Sequence, residues 1–293
     1  MTPADDGGGT RLAVLGSPIA HSQSPALHAA AYGVLGLPWT YEAIEVRQPD
    51  LGAFVRSVAV DPAWRGLSLT MPLKRDILPM LDTRDEPTGL TGGANTVLLD
   101  DGRLRGFNTD VYGVTAALRE AGIDGLRSVE ILGAGATAAS VLAAVHALGA
   151  TGLLLRARDA GRARPVVELA RRLGMTVTVL APREPGEAGF AADLVVSTLP
   201  GGADMPAAPS TANPASTPLL DVAYSPWPTA VAAYWLAGGG RVIGGLEMLV
   251  NQALGQVRAF TFGDPWMPLA DEPAVLRAMR ASIGLDPEAA RVV

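Results

Sequence analysis

The 293-residue chain contains no cysteine and a single lysine. Without thiols there can be no disulfide staple, no thiolate metal site and no cysteine nucleophile. Positive charge is also scarce: 23 Lys plus Arg face 29 Asp plus Glu, giving a formal net charge of -6 and no basic tract. That balance excludes the electrostatic footprint of a nucleic-acid binder or of an anchor for anionic membranes. No apolar run reaches the roughly 18 residues that a bilayer span requires. The opening MTPADDGGGT is acidic and glycine-rich where a secretory leader would be basic and then apolar. These absences point to small-molecule partners, a cytoplasmic location and a frayed N-terminus. Aromatic residues make up only 5%, but hydrophobic residues reach 48%, enough for a well-buried core in two modest domains.

Short leucine-rich or β-branched runs alternate with longer alanine-rich stretches of helical period, the pattern of parallel strands covered by helices. The class is α/β. Strands are predicted at 11–16, 40–46, 66–70, 128–133, 153–156, 193–198, 218–223 and 241–245, with helices at 24–35, 111–121, 136–148, 163–173, 229–237 and 246–260. TVLLDDGRLRGF reads as a hairpin turning at Asp101-Gly102. The stretches PREPGEAG and GGADMPAAPSTANPASTP read as surface loops. A fresh strand, glycine turn and helix begin near Ser128, which sets boundaries at 1–110, 111–245 and 246–293. The final helices have no strands of their own to cover and are expected to return to the first domain. A cleft between two such domains is the natural place for chemistry.

The lone lysine, Lys74, lies in SLTMPLKRD. Every other Lys or Arg is an arginine, whose guanidinium cannot give up a proton in a protein, whereas a lysine ammonium can. Lys74 is therefore a candidate proton donor. His28 and His146 fall within predicted helices and read as structural, and no metal site is expected.

ILGAGATAAS places Gly133, Gly135 and Ala138 in a GxGxxA arrangement between a strand and a helix. One glycine permits the tight turn, the next lets backbone amides approach a pyrophosphate, and the small third residue lets helix and strand pack closely. Phosphates then sit at a helix N-terminus. Beyond the following strand, LLLRARDAGRARP crowds Arg156, Arg158, Arg162 and Arg164 together, which suits a 2'-phosphate and hence NADP. Asp159 leaves open repulsion of that phosphate or a hydrogen bond to a ribose hydroxyl.

GSPIAHSQSPALH, SLTMPLK, GANT, NTD, GAGATA, YSPWPT and GLEMLVNQA, in that order along nearly the whole chain, resemble the shikimate dehydrogenase (shikimate/quinate dehydrogenase) family. The resemblance implies a substrate domain completed by C-terminal helices, an NADP-binding Rossmann domain, and NADPH-dependent reduction of 3-dehydroshikimate to shikimate in aromatic amino acid biosynthesis. It implies a monomer or homodimer.

By the same resemblance Lys74 and Asp110 are the catalytic pair. Ser22 and Ser24 would hold the substrate carboxylate, with Thr70, Asn95, Tyr224 and Gln252 around the substrate. Gly133, Ala134, Gly135, Ala136, Thr137 and Ala138 would form the phosphate turn. Arg156, Arg158, Thr198, Gly245 and Met248 complete the cofactor side. Ser24, ahead of Pro25, also suits a helix N-cap.

Three positions depart from the family pattern. Ser68 replaces an asparagine, Ala157 another asparagine, and Asp159 a threonine or serine. Ser68 is expected to loosen a hydrogen bond behind the catalytic pair, and Arg156 to compensate on the cofactor side. An NAD-preferring quinate/shikimate dehydrogenase and a non-catalytic dinucleotide sensor are the competing readings.

Overall fold

The structure, a computed structural model, describes residues 9–182, 190–204 and 213–286. The acidic start, most of PREPGEAG and the middle of GGADMPAAPSTANPASTP lie outside these residues. In chain order the elements are β1 (Arg11–Gly16), α1 (Ser24–Leu35), β2 (Thr40–Glu45), α2 (Leu51–Ala59), β3 (Trp64–Leu69), β4 (Thr83–Arg84), α3 (Glu86–Thr91), β5 (Thr96–Asp100) and β6 (Arg103–Phe107). They continue as α4 (Asp110–Glu120), β7 (Ser128–Leu132), α5 (Ala136–Ala147), β8 (Gly152–Arg156), α6 (Ala160–Arg172), β9 (Thr176–Leu180), β10 (Leu194–Ser197), β11 (Leu219–Asp221) and α7 (Ala230–Ala237). The last are β12 (Val242–Ile243), α8 (Gly245–Phe262) and α9 (Glu272–Ser282).

Two units divide this chain. One holds the described residues 9–109 and 253–286, the other residues 110–252. The sequence-based boundaries after Asp110 and after Gly245 fall elsewhere: Asp110 opens the second unit, and the second joint lies inside α8, between Gln252 and Ala253. A continuous helix gives no turn signal at such a joint, so composition could not reveal it.

The first unit carries a six-stranded sheet in the order β2-β1-β3-β5-β6-β4. β1 runs parallel to β2 and β3, while β5 pairs antiparallel with β3 and β6. The register sets Ser68 opposite Thr96, and Thr96 opposite Phe107. Leu15, Leu67, Leu73, Ile77 and Val97 are completely or almost completely shielded from solvent in its core. α1 ends where Gly36 turns left-handed at φ 66°. The part of α8 in this unit lies close to β3: Gly66 leaves room for the Phe260 ring, and Arg65 Nε donates to the Phe260 carbonyl at 2.9 Å. Arg258 grips Glu272 at the start of α9 through two hydrogen bonds of 2.8 and 2.5 Å.

The second unit has a sheet in the order β12-β11-β10-β7-β8-β9, parallel throughout. β8 and β10 are buried along their whole length, as parallel strands covered on both faces must be. The order reverses between β7 and β10, so the turn leaving β7 sits at the topological switch point where such sheets bind ligands.

Candidate active site

Thr70, Lys74 and Asn95 come together through their backbones. Leu69 N donates to the Asn95 carbonyl at 2.8 Å, Leu73 N to the Thr70 carbonyl at 2.9 Å, and Ala94 N to the Lys74 carbonyl at 2.8 Å. Lys74 itself is half-buried on the turns that follow β3. Asn95 is 1% exposed, and its side chain is locked against Thr109: Thr109 N donates to Oδ1 at 2.9 Å and Asn95 Nδ2 donates to Thr109 Oγ1 at 2.9 Å.

Ser22 and Ser24 are joined by a hydrogen bond from Ser24 N to Ser22 Oγ at 3.3 Å. The capping role considered for Ser24 is not what forms: the N-cap of α1 is Gln23, and no side chain caps the helix. Ser24 is instead the first helical residue and is buried, with its hydroxyl facing the phenol of Tyr41. Burial pushes that phenol well above its ordinary range, and the Ser68 and Ser24 hydroxyls beside it pull the other way.

In the second unit Asp110 is 3% exposed at the start of α4, directly after Thr109 in the chain. One turn on, Gly113 lies against α8. A Cβ there would come within 2.7 Å of Gln252 Cβ and 2.8 Å of the Met248 carbonyl, so only glycine admits this approach. Met248 and Gln252 therefore meet Gly113 at the crossing of α4 and α8, one turn after Asp110, and Asn251 also ties the two helices by donating to Glu120 at 3.1 Å. Gly245, buried where α8 begins, presses on the 222–223 backbone just before Tyr224.

The strand-to-helix turn fits a pyrophosphate. Gly133 has φ 102°, a conformation open to glycine, and its α-carbon faces Thr198 Oγ1, 2.5 Å from where a Cβ would lie. Thr198 fastens the turn by donating through both N and Oγ1 to the Leu132 carbonyl, at 2.8 and 2.9 Å. Gly135 has open space at its Cβ position, and no side chain caps α5, so the amides of Ala136, Thr137 and Ala138 begin a helix suited to an anion.

The arginines beyond β8 divide. Arg158 is exposed and stands just before α6. Arg156, expected on the cofactor side, is instead 2% exposed, and its Nε donates to Glu130 Oε1 at 2.5 Å within the sheet. The physical reason is charge balance: Glu130, 0% exposed on β7, needs a buried cation, and Arg156 supplies it. The carboxylate of Asp159 accepts from Gly161 N and Arg162 N, at 2.7 and 3.2 Å, as the N-cap of α6.

The sequence reading missed Gln256 and Tyr41. Gln256 is 2% exposed and occurs four positions after Gln252 on α8, a polar residue recurring at helical spacing amid apolar ones, which was the available signal. Among the described residues no group of His, Cys, Asp and Glu could hold a metal ion, and no helix is long and apolar enough to cross a membrane.

A family model described as the shikimate dehydrogenase substrate binding domain matches residues 14–97. The shikimate dehydrogenase (NADP(+)) of Moorella thermoacetica is 35% identical over 93% of this chain and 95% of its own length. The crystal structure of Mycobacterium tuberculosis shikimate dehydrogenase superposes with a TM-score of 0.77 at 38% identity, covering 93% of this chain and 99% of that one. That of Thermus thermophilus shikimate 5-dehydrogenase in complex with NADP(H) and shikimate gives 0.76 at 33% identity, over 93% and 99%. With a site of this composition and relatives that match it nearly end to end, the chain belongs to the shikimate dehydrogenase family.

Proposed function

We propose that the chain catalyses reversible, NADPH-dependent reduction of 3-dehydroshikimate to shikimate, in the cytoplasm, as a monomer or homodimer. Residues 110–252 would bind the dinucleotide, and the unit built from 9–109 and 253–286 the substrate. The observation that carries this reading is the backbone convergence of Thr70, Lys74 and Asn95, with Asn95 bonded to Thr109 immediately before Asp110.

The roles follow from the chemistry of each group. When bound, NADPH supplies the hydride that reduces the carbonyl carbon. Lys74 gives a proton to the carbonyl oxygen as negative charge develops on it, and takes it back in the oxidation direction. Asp110 orients the Lys74 ammonium. Ser22 and Ser24 donate to the substrate carboxylate without adding charge of their own, and Thr70, Asn95, Tyr224 and Gln252 fix the ring. Gly133 through Ala138 hold the pyrophosphate, with Thr198 bracing their turn and Gly245 and Met248 beside the nicotinamide. Arg158 takes the 2'-phosphate. Asp159 supports the NADP reading, because its carboxylate is spent on the first amides of α6.

Initial rates measured at 340 nm with shikimate or quinate, each with NADP+ or NAD+, test the assignment. The shikimate and NADP+ pairing is expected to give the highest kcat/KM. Faster turnover with NAD+ and quinate would replace it by the quinate reading, and no turnover with any pairing by the sensor reading.

A further inference from the structure

Gln256 sits at the centre of a buried hydrogen-bond network beneath Asn95, and groups that can only accept or only donate fix the polarity of that network. The Asn95 backbone carbonyl can only accept. The Gln256 side-chain atom 3.1 Å from it must therefore be Nε2, which also lies 3.2 Å from Thr96 Oγ1. Gln256 Oε1 then points the other way, accepting from Ser68 Oγ at 3.0 Å and from His28 Nε2 at 3.2 Å. His28 must carry its proton on Nε2, which leaves Nδ1 bare to accept from Tyr32 Oη at 3.0 Å.

Because Thr96 Oγ1 accepts from Gln256, its single proton is directed to Asn95 Oδ1, 2.8 Å away. The same Oδ1 accepts from Thr109 N, a group that can only donate. Both lone pairs of Asn95 Oδ1 are thus committed, so any bond from Asn95 to a ligand is donated by Nδ2, which also donates to Thr109 Oγ1 at 2.9 Å. Ser68, His28, Asn95, Thr96 and Gln256 are all buried, so water does not compete for these bonds.

We infer that Gln256 is a positioning residue: it clamps the backbone and the hydroxyl on either side of Asn95, so that Asn95 presents a fixed N–H edge to a substrate hydroxyl. The inference rests on the functional reading above and extends it to a residue that touches neither substrate nor cofactor. It also revises the expectation for Ser68, whose hydroxyl anchors Gln256 in place of loosening the site.

Three measurements test it. Long-range 1H–15N spectra of the wild-type protein are expected to show His28 as the Nε2–H tautomer; an Nδ1–H tautomer overturns the inference whatever the kinetics. Gln256→Met is expected to raise the KM for shikimate by about tenfold while leaving the KM for NADP+ unchanged. In an Asn95→Ala background the same substitution is expected to add nothing, since Gln256 acts through Asn95. Equal factors in both backgrounds, or a parallel rise in both KM values, would mark a merely structural role. The tautomer is read on the wild-type protein, so it decides the inference even where the Met variant does not fold. A wild-type chain inactive on shikimate would sink the functional reading and this role with it. An active wild type that fails the tautomer or additivity test sinks this role alone.

Discussion

Lys74 bears the heaviest chemical demand placed on any residue of this chain, and its substitution discriminates between charge and proton transfer. Lys74→Arg preserves the positive charge but replaces an ammonium that can release a proton by a guanidinium that cannot. Turnover is expected to fall by roughly 10²–10⁴, the usual scale of general acid-base catalysis. Shikimate affinity, followed by calorimetry, is expected to remain close to that of the wild type. Near wild-type turnover would remove the proton-transfer role. Lys74 was legible because the chain uses arginine everywhere else. Gln256 was not, because residues from α1, β3, β5 and α8 define its environment, and a linear pattern cannot show which polar groups meet. Arg156 was misplaced for a related reason. Its position at a strand end was visible, but the register that sets Leu132 against Arg156, and so brings Glu130 within reach, belongs to the folded sheet. A glutamate inside the apolar strand SVEIL was the clue that a buried cation had to exist.

At the scale of elements, β7 and β8 hold that ion pair between them. Breaking one half leaves an uncompensated buried charge, so Arg156→Met is expected to cost roughly 3–5 kcal/mol in urea unfolding, whereas Glu130→Leu with Arg156→Leu is expected to be close to neutral. The double variant should also retain its preference for NADP+ over NAD+. Loss of that preference would return Arg156 to the cofactor. The elements themselves were largely readable. α1 occupies Ser24–Leu35 as its proline start and glycine end require, and the 96–107 hairpin turns at Asp101 and Gly102, with φ 50° and 74°. β9 was missed because TVTVL is short and only partly buried at the sheet edge, and α2 because its nine residues offer a brief amphipathic signal.

For the molecule as a whole, His28 couples stability to acidity. Burial lowers it from 6.5 to about 3, and the hydrogen bond it donates to Gln256 only partly offsets this. Between those values the unfolded chain binds a proton that the folded chain refuses, so stability falls as pH drops through the window and loses nothing further from this group below about 3. From pH 6.5 to 5 the loss is expected to be about 2 kcal/mol. Glu272 adds its own loss only below its ordinary 4.5: although burial pushes it up, the Arg258 guanidinium holds its carboxyl lower. Denaturation series at pH 7, 6 and 5 follow the histidine, while Asp85 and Asp221, raised by burial, work in the opposite sense in every variant, and His28→Gln is expected to flatten the decline. An unchanged slope in that variant would show that another group governs it.

The division of α8 also orders events in time. A ribosome delivers residues 110–252 in full before it delivers Gln256, Phe260 or α9, yet β3 needs the Phe260 ring over Gly66, and α1 packs along α9. The half of the protein translated first is therefore the half that closes last, with its polar centre waiting for a glutamine that emerges only after the whole of the second unit.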